Sequence, residues 1–194
     1  MRRTIIVTDG DCTALDAVEV AANNIGARCI SISGCHQPGD AHWTPEEVEQ
    51  LILSTPRDPV VVLVDDEGKE GEGRGERILR HLAQSSRIMI LGVVAVASEM
   101  KEGSGAQITA SVNSQGEIIF NPVDKCGQSS GEIGEPLKGD TVENLNELDL
   151  PIVIGLGDPG KMNLADDASR GAPITTEALK LILRHAEQKV RALK

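Results

Sequence analysis

The 194-residue sequence predicts an α/β fold, a mainly parallel sheet flanked by helices on both faces, with a hairpin insertion in the second half. Three observations predict it. Short aliphatic runs of strand length recur through about the first hundred residues, and stretches with apolar residues at helical spacing separate them. The strand runs are apolar throughout instead of alternating, the pattern of strands covered on both faces. Trp43 and Phe120 are the only aromatic residues, so the core has to be built from Ile, Val, Leu and Ala.

The elements follow in order. Residues 4–8 (TIIVT) read as a buried strand. In residues 11–25, Ala14, Leu15, Val18, Ala21, Ala22 and Ile25 fall on one helical face, and Gly26 closes the helix. Residues 27–33 (ARCISIS) form a second strand. Thr44-Pro45-Glu46-Glu47 is a helix start, with Thr as N-cap, Pro in the first turn and Glu three residues after the cap; this helix runs to about residue 54. Residues 59–64 form the third strand. A third helix begins at Glu72 or Gly75 and ends at residue 84, with Ile78, Leu79 and Leu82 on one face. Residues 87–97 (RIMILGVVAVA) are a fourth strand. This β-α-β-α-β-α-β series predicts a flavodoxin-like strand order of 2-1-3-4. Residues 107–113 and 117–121 flank Ser114-Gln115-Gly116 as a hairpin. Residues 122–139 are polar and glycine-rich and predict an excursion over the surface. A short helix to about residue 148, a strand over 151–155 and a final helix over 175–193 complete a single domain over residues 1–194.

Composition bounds the function. The formal net charge is −11, which disfavours general affinity for nucleic acid or anionic lipid, and the lack of aromatics removes stacking platforms for single strands. Cys12, Cys29, Cys35 and Cys126 form no CxxC pair, so reduced thiols and an intracellular compartment are expected. The N-terminus has no signal-peptide pattern and no apolar run approaches a membrane span, so membrane contact is expected only through partners.

Ligands of open parallel sheets bind beyond the carboxyl ends of the strands. Three segments end there: Asp9-Gly10-Asp11 after strand one, Asp65-Asp66-Glu67 after strand three, and Gly155-Leu156-Gly157-Asp158-Pro159-Gly160-Lys161 after the late strand. If strands one and three are neighbours, their carboxylates repel unless a cation, a proton or a basic partner such as Lys161 or Arg74 intervenes. Asp9, Asp11, Asp65, Asp66 and Glu67 are therefore candidate metal ligands, and oxygen-only ligands suit Mg²⁺ or Ca²⁺. Asp158, Gly160 and Lys161 form a candidate ligand loop. The competing reading is structural: Asp and Gly cap helices and make turns at strand ends, and Asp11 caps the first helix. Gly71-Glu72-Gly73-Arg74-Gly75-Glu76 lacks the Lys-Ser/Thr ending of a phosphate loop. Cys35, His36 and His42 share one loop as a transition-metal candidate, and His81 and His185 read as helix-surface residues. No local context supports a Ser-His-Asp or Cys-His nucleophile, and catalytic residues stay unassigned.

Long ordered stretches carry a family resemblance: IIVTDGD, GARCISISG, TPRDPVVVLVDDEGKEGEGRGE, ILGVVAVAS, GDTVENLNELDLPIVIGLGDPGKMN and GAPIT. Over nearly the whole chain they resemble the stage V sporulation protein AE family, the soluble SpoVAEa-type subunit of the SpoVA system of endospore-forming bacteria. The resemblance implies a non-enzymatic accessory subunit of the calcium-dipicolinate channel system, acting in sporulation and germination. It also implies integral-membrane and soluble SpoVA partners and a forespore or spore location peripheral to the inner membrane. A small-ligand binder, for dipicolinate or its calcium chelate, is compatible with that role. A second resemblance is to Toprim domains. Asp9 stands where the Toprim Glu would be, Asp65-Asp66-Glu67 supplies acids in altered spacing, and Gly75-Glu76 opens helix three. It implies, as an alternative, a divalent-metal-dependent phosphotransfer enzyme or nuclease; the sequence departs from that pattern by Asp for Glu and by lacking Asp-x-Asp from Asp65.

Overall fold

The computed structural model describes residues 1–8, 11–32, 43–64, 73–98, 105–139 and 143–192. Seven strands make one sheet: β1 (Arg2–Val7), β2 (Arg28–Ser31), β3 (Val60–Leu63), β4 (Ile88–Val96), β5 (Ala110–Val112), β6 (Ile118–Ile119) and β7 (Val153–Leu156). Their order is β2-β3-β1-β4-β7-β5-β6, and every pairing is parallel except β5–β6. The α/β architecture and the parallel neighbours β1, β3 and β4 match the sequence reading. The order does not: β3 lies between β2 and β1, where 2-1-3-4 was expected.

The sheet is buried because both its faces are covered. Helices α1 (Cys12–Asn24) and α4 (Pro173–Ala192) pack on one face, where Ile5, Val7, Leu63 and Ile154 meet Leu15, Val18, Leu179 and Ile182. Helices α2 (Pro45–Ser54) and α3 (Arg74–Gln84) cover the other, where Ile6, Val62 and Val93 meet Val48, Ile52, Ile78 and Leu82. Adjacent residues of β1 thus serve opposite cores, which is why the strand is apolar throughout. Gly92 in β4 lets α4 approach, since a Cβ there would stand 2.6 Å from Ile152 Cγ2 and 2.9 Å from Ile182 Cγ2.

Local signals account for the helix ends. Thr44 accepts from the Glu47 N–H while Glu47 accepts from the Thr44 N–H, the reciprocal cap expected there. Glu76 takes the Gly73 N–H at the start of α3. The β5–β6 hairpin turns at Asn113, whose side chain accepts from the Gln115 and Glu117 amides, and Gly116 takes φ 79°. The segment 122–139 runs largely over the surface, as expected, but it is anchored at a few buried points. Leu137 is completely buried and Val123 nearly so, held by bridges Ala106–Leu137 and Val123–Ser129. Reduced thiols hold for Cys29 and Cys126; burial pushes Cys29 up to about 12. Cys12 differs, being in a disulfide whose partner lies outside the described residues.

Candidate functional site

The carboxyl edge of the sheet gathers the ends of β1, β4 and β7. Thr8 continues β1 by donating its N–H to Val94 and accepting the Val96 N–H, and Ala97 donates to Leu156. Val7 and Leu63 are register partners, so β1 and β3 end side by side, as the sequence argument required. Of the acids expected there, Asp9, Asp65, Asp66 and Glu67 lie outside the described residues, as do Cys35, His36 and His42. Asp11 is described, together with the whole loop after β7.

Asp11 does two things. One carboxylate oxygen accepts the Ala14 N–H at 2.7 Å, capping α1, and the other meets Lys161 Nζ at 2.5 Å. Lys161 also lies 3.3 Å from Asp158. Partial burial pushes the Asp11 carboxyl up, but the hydrogen bonds from Lys161 and Ala14 and the lysine's charge outweigh it and hold Asp11 below its ordinary value. Lys161 is the mirror case: burial pushes it down, while the bond to Asp11 and the charges of Asp158 and Asp11 push it further up. The ammonium thus stands between Asp11 and Asp158; the pairing expected of it with Asp9, Asp65 or Asp66 falls outside the described residues. Among the described residues no group of three or more His, Cys, Asp and Glu side chains could hold a metal ion.

The loop carrying Lys161 is held by close backbone approaches. Asp158 donates its N–H to Lys125 at 2.8 Å. A Cβ on Gly157 would lie 2.6 Å from the Gly127 nitrogen, and one on Gly160 would lie 2.6 Å from the Thr13 carbonyl in the first turn of α1. Met162, Asn163 and Leu164 then take φ of 47°, 55° and 66°, a left-handed turn of non-glycine residues. Such a run costs about 1–2 kcal/mol per residue and persists only where its surroundings impose it. Buried Met162 on one side and fully buried Asp166 on the other impose it. Asp166 accepts from Gly160 N at 3.0 Å, Ile174 N at 2.8 Å, Thr175 N at 2.9 Å and Thr175 Oγ1 at 2.6 Å. It fixes Gly160 to the start of α4 and fills the anion position at that helix end with the protein's own carboxylate.

Sequence reading missed Asp166, which lies outside the span in which local capping rules operate. It also missed a second cluster, at the opposite edge. Glu49 on α2 is buried and accepts from Ser85, Arg87 and His81, so His81 is more than a helix-surface residue. Hydrogen bonds from Ser85 and Arg87, against the opposing effect of burial and with help from His81, hold Glu49 down at about 2.

A sequence model described as stage V sporulation protein AE1 matches residues 3–186. No curated protein matches the chain. One similar solved structure is the crystal structure of a domain of unknown function, DUF1537, from Bordetella bronchiseptica, a domain-swapped dimer with bound citrate. The identity is 17% with a TM-score of 0.39, and the match covers 91% of this chain but 41% of that one.

Proposed function

The chain belongs to the SpoVAE family, stage V sporulation protein AE1, and from that premise we propose that it is a soluble accessory subunit of the SpoVA calcium-dipicolinate channel system, acting in sporulation and spore germination. The family match over residues 3–186 carries this reading. It is supported by the absence, among the described residues, of any helix long and apolar enough to cross a membrane. On this reading the chain docks on integral-membrane SpoVA proteins of the spore inner membrane, and its contact with the bilayer runs through them. The test is affinity capture of the full chain from detergent-solubilised forespore membranes, paired with dipicolinate release from spores lacking it. Co-purification of a membrane SpoVA subunit and altered release are expected. Failure of both would overturn the proposal.

A second reading, binding of dipicolinate or its calcium chelate, is favoured by the strained loop over residues 160–164 beside a charged, half-exposed lysine. Calorimetric titration with Mg²⁺, Ca²⁺ and calcium dipicolinate tests it, with Lys161→Gln as the variant that should lose the heat of binding. No heat with any of the three would leave the accessory role alone.

A further inference from the structure

We propose that the amino-terminal edge of the sheet holds a binding site for a small organic anion, whose oxyanion group is received by Arg2 and Arg87. The two arginines come together because β1 and β4 are parallel neighbours that start in register: the Arg2 N–H donates to the Arg87 carbonyl at 2.8 Å. Between them and the end of α2 lies an open surface depression of about 420 Å³, lined by Met1, Arg2, Leu53, Ser86 and Arg87. No acid lines it.

The two guanidinium groups differ in how they are held. Arg87 is fixed from behind. Its Nε and Nη2 meet the Glu49 carboxylate at 3.1 and 3.0 Å, and the Gln50 amide, oriented to suit its neighbours, accepts from Nη1 and Nη2 at 3.3 and 3.2 Å. Glu49 is itself locked by Ser85 and His81, with Glu46 3.9 Å beyond the histidine. This is a positioned guanidinium with its outer side open, since the Arg87 side chain is 53% exposed. Arg2 donates Nη2 to the Leu53 carbonyl at 3.1 Å and meets no carboxylate within ion-pair reach among the described residues. Its neighbour Arg3 is different: Asp58 neutralises it at 3.1 Å.

Counting charges around the depression leaves two guanidinium groups against one carboxylate, and that carboxylate stands behind Arg87. The local field is positive on a chain whose net charge is −11. Glu49 and Gln50 leave Arg87 one Nη1 N–H to offer, whereas Arg2 spends only Nη2 on Leu53, so the oxyanion's main fork is Arg2's and Arg87 adds a single charge-assisted donor. Leu53 and Met1 supply an apolar wall, which favours an anion with a small hydrocarbon body over a bare inorganic ion.

The test is titration of the full chain with benzoate and with acetate, read by the arginine Nε–H resonances and by calorimetry. Benzoate should shift Arg2 and Arg87 saturably and bind more tightly than acetate. Arg2→Gln should weaken benzoate by about tenfold, the effect of losing one charge-assisted contact. Arg3→Gln removes the same formal charge one residue away and should change the affinity less than about twofold. Arg2→Lys keeps the charge without the fork and should fall between, which covers the case of an unstable Arg2→Gln. Absence of shifts at Arg2 and Arg87, or equal losses in Arg2→Gln and Arg3→Gln, would overturn the site.

Discussion

Replacing Asp166 by Asn keeps the shape of the side chain and removes its charge. The oxygen facing Ile174 N and Thr175 N remains an acceptor, so the start of α4 keeps two bonds. The other oxygen becomes an NH₂ that faces the Gly160 N–H. Two donors then oppose each other in a fully buried place, while the Thr175 hydroxyl can turn and accept. An orphaned buried amide costs about 1–3 kcal/mol. Removing the negative charge from a helix N-terminus adds about 0.3–2 kcal/mol. The sum centres near 3 kcal/mol, a large part of a typical stability of about 5–15 kcal/mol. With a urea slope near 2 kcal/mol/M, the midpoint should fall by about 1.5 M at unchanged slope. The Gly160 amide should also exchange with solvent faster than in the wild type. Asp167→Asn is the control, because Asp167 serves only the short turn over Ala168–Arg170, through Ser169. A midpoint drop below about 0.3 M for Asp166→Asn, or equal drops for both variants, would refute the assignment of Asp166 as the tie between loop and helix.

Glu49 titrates lower in the fold than its ordinary 4.5, so its stabilisation is present above that pH and is lost as pH falls toward about 2. Stability measured by denaturant between pH 5 and pH 2 should decline less steeply in Glu49→Gln than in wild type, and identical slopes would contradict this. Leu137→Ala should cost about 2–5 kcal/mol by urea unfolding, the range for a fully buried leucine, where a surface segment would lose almost nothing. Gly92→Ala should cost about 1–3 kcal/mol because its Cβ meets Ile152 and Ile182, and a neutral result would mean that α4 can shift outward. Lys161→Gln should change stability by no more than about 1 kcal/mol, since both it and Asp11 are more than two-fifths exposed.

The helices and strands were legible where a single local rule decides them. Thr44-Pro45 with Glu47 forms its cap from residues three apart, and the apolar run over β1 needs only to be buried on both sides. Strand order escaped because β1, β3 and β4 are nearly interchangeable as aliphatic strings; which two become neighbours depends on packing between distant segments. Leu137 escaped because one apolar residue in a polar stretch has no periodicity to reveal it. At the carboxyl edge, Asp11 as a helix cap was readable from its place before α1, whereas the partners Lys161 takes, Asp11 and Asp158, were not the acids expected for it. Asp166 was not, because its partners Gly160, Ile174 and Thr175 flank it at distances of six to nine residues and no local pattern links them.

The place of β7 in the sheet has a consequence for assembly during synthesis. Strands β2, β3, β1 and β4 draw all their mutual pairings from residues up to Val96 and can zip together as soon as that length is available. Strand β5 follows in sequence but does not pair with β4; it waits for β7, which arrives at Val153 and slots between them. Until then the stretch from Val93 to Val96 offers an open, wholly aliphatic margin, the kind of surface that recruits other nascent chains. The last strand to emerge is therefore also the one that closes this margin, and the face it completes stays uncovered until α4 follows it.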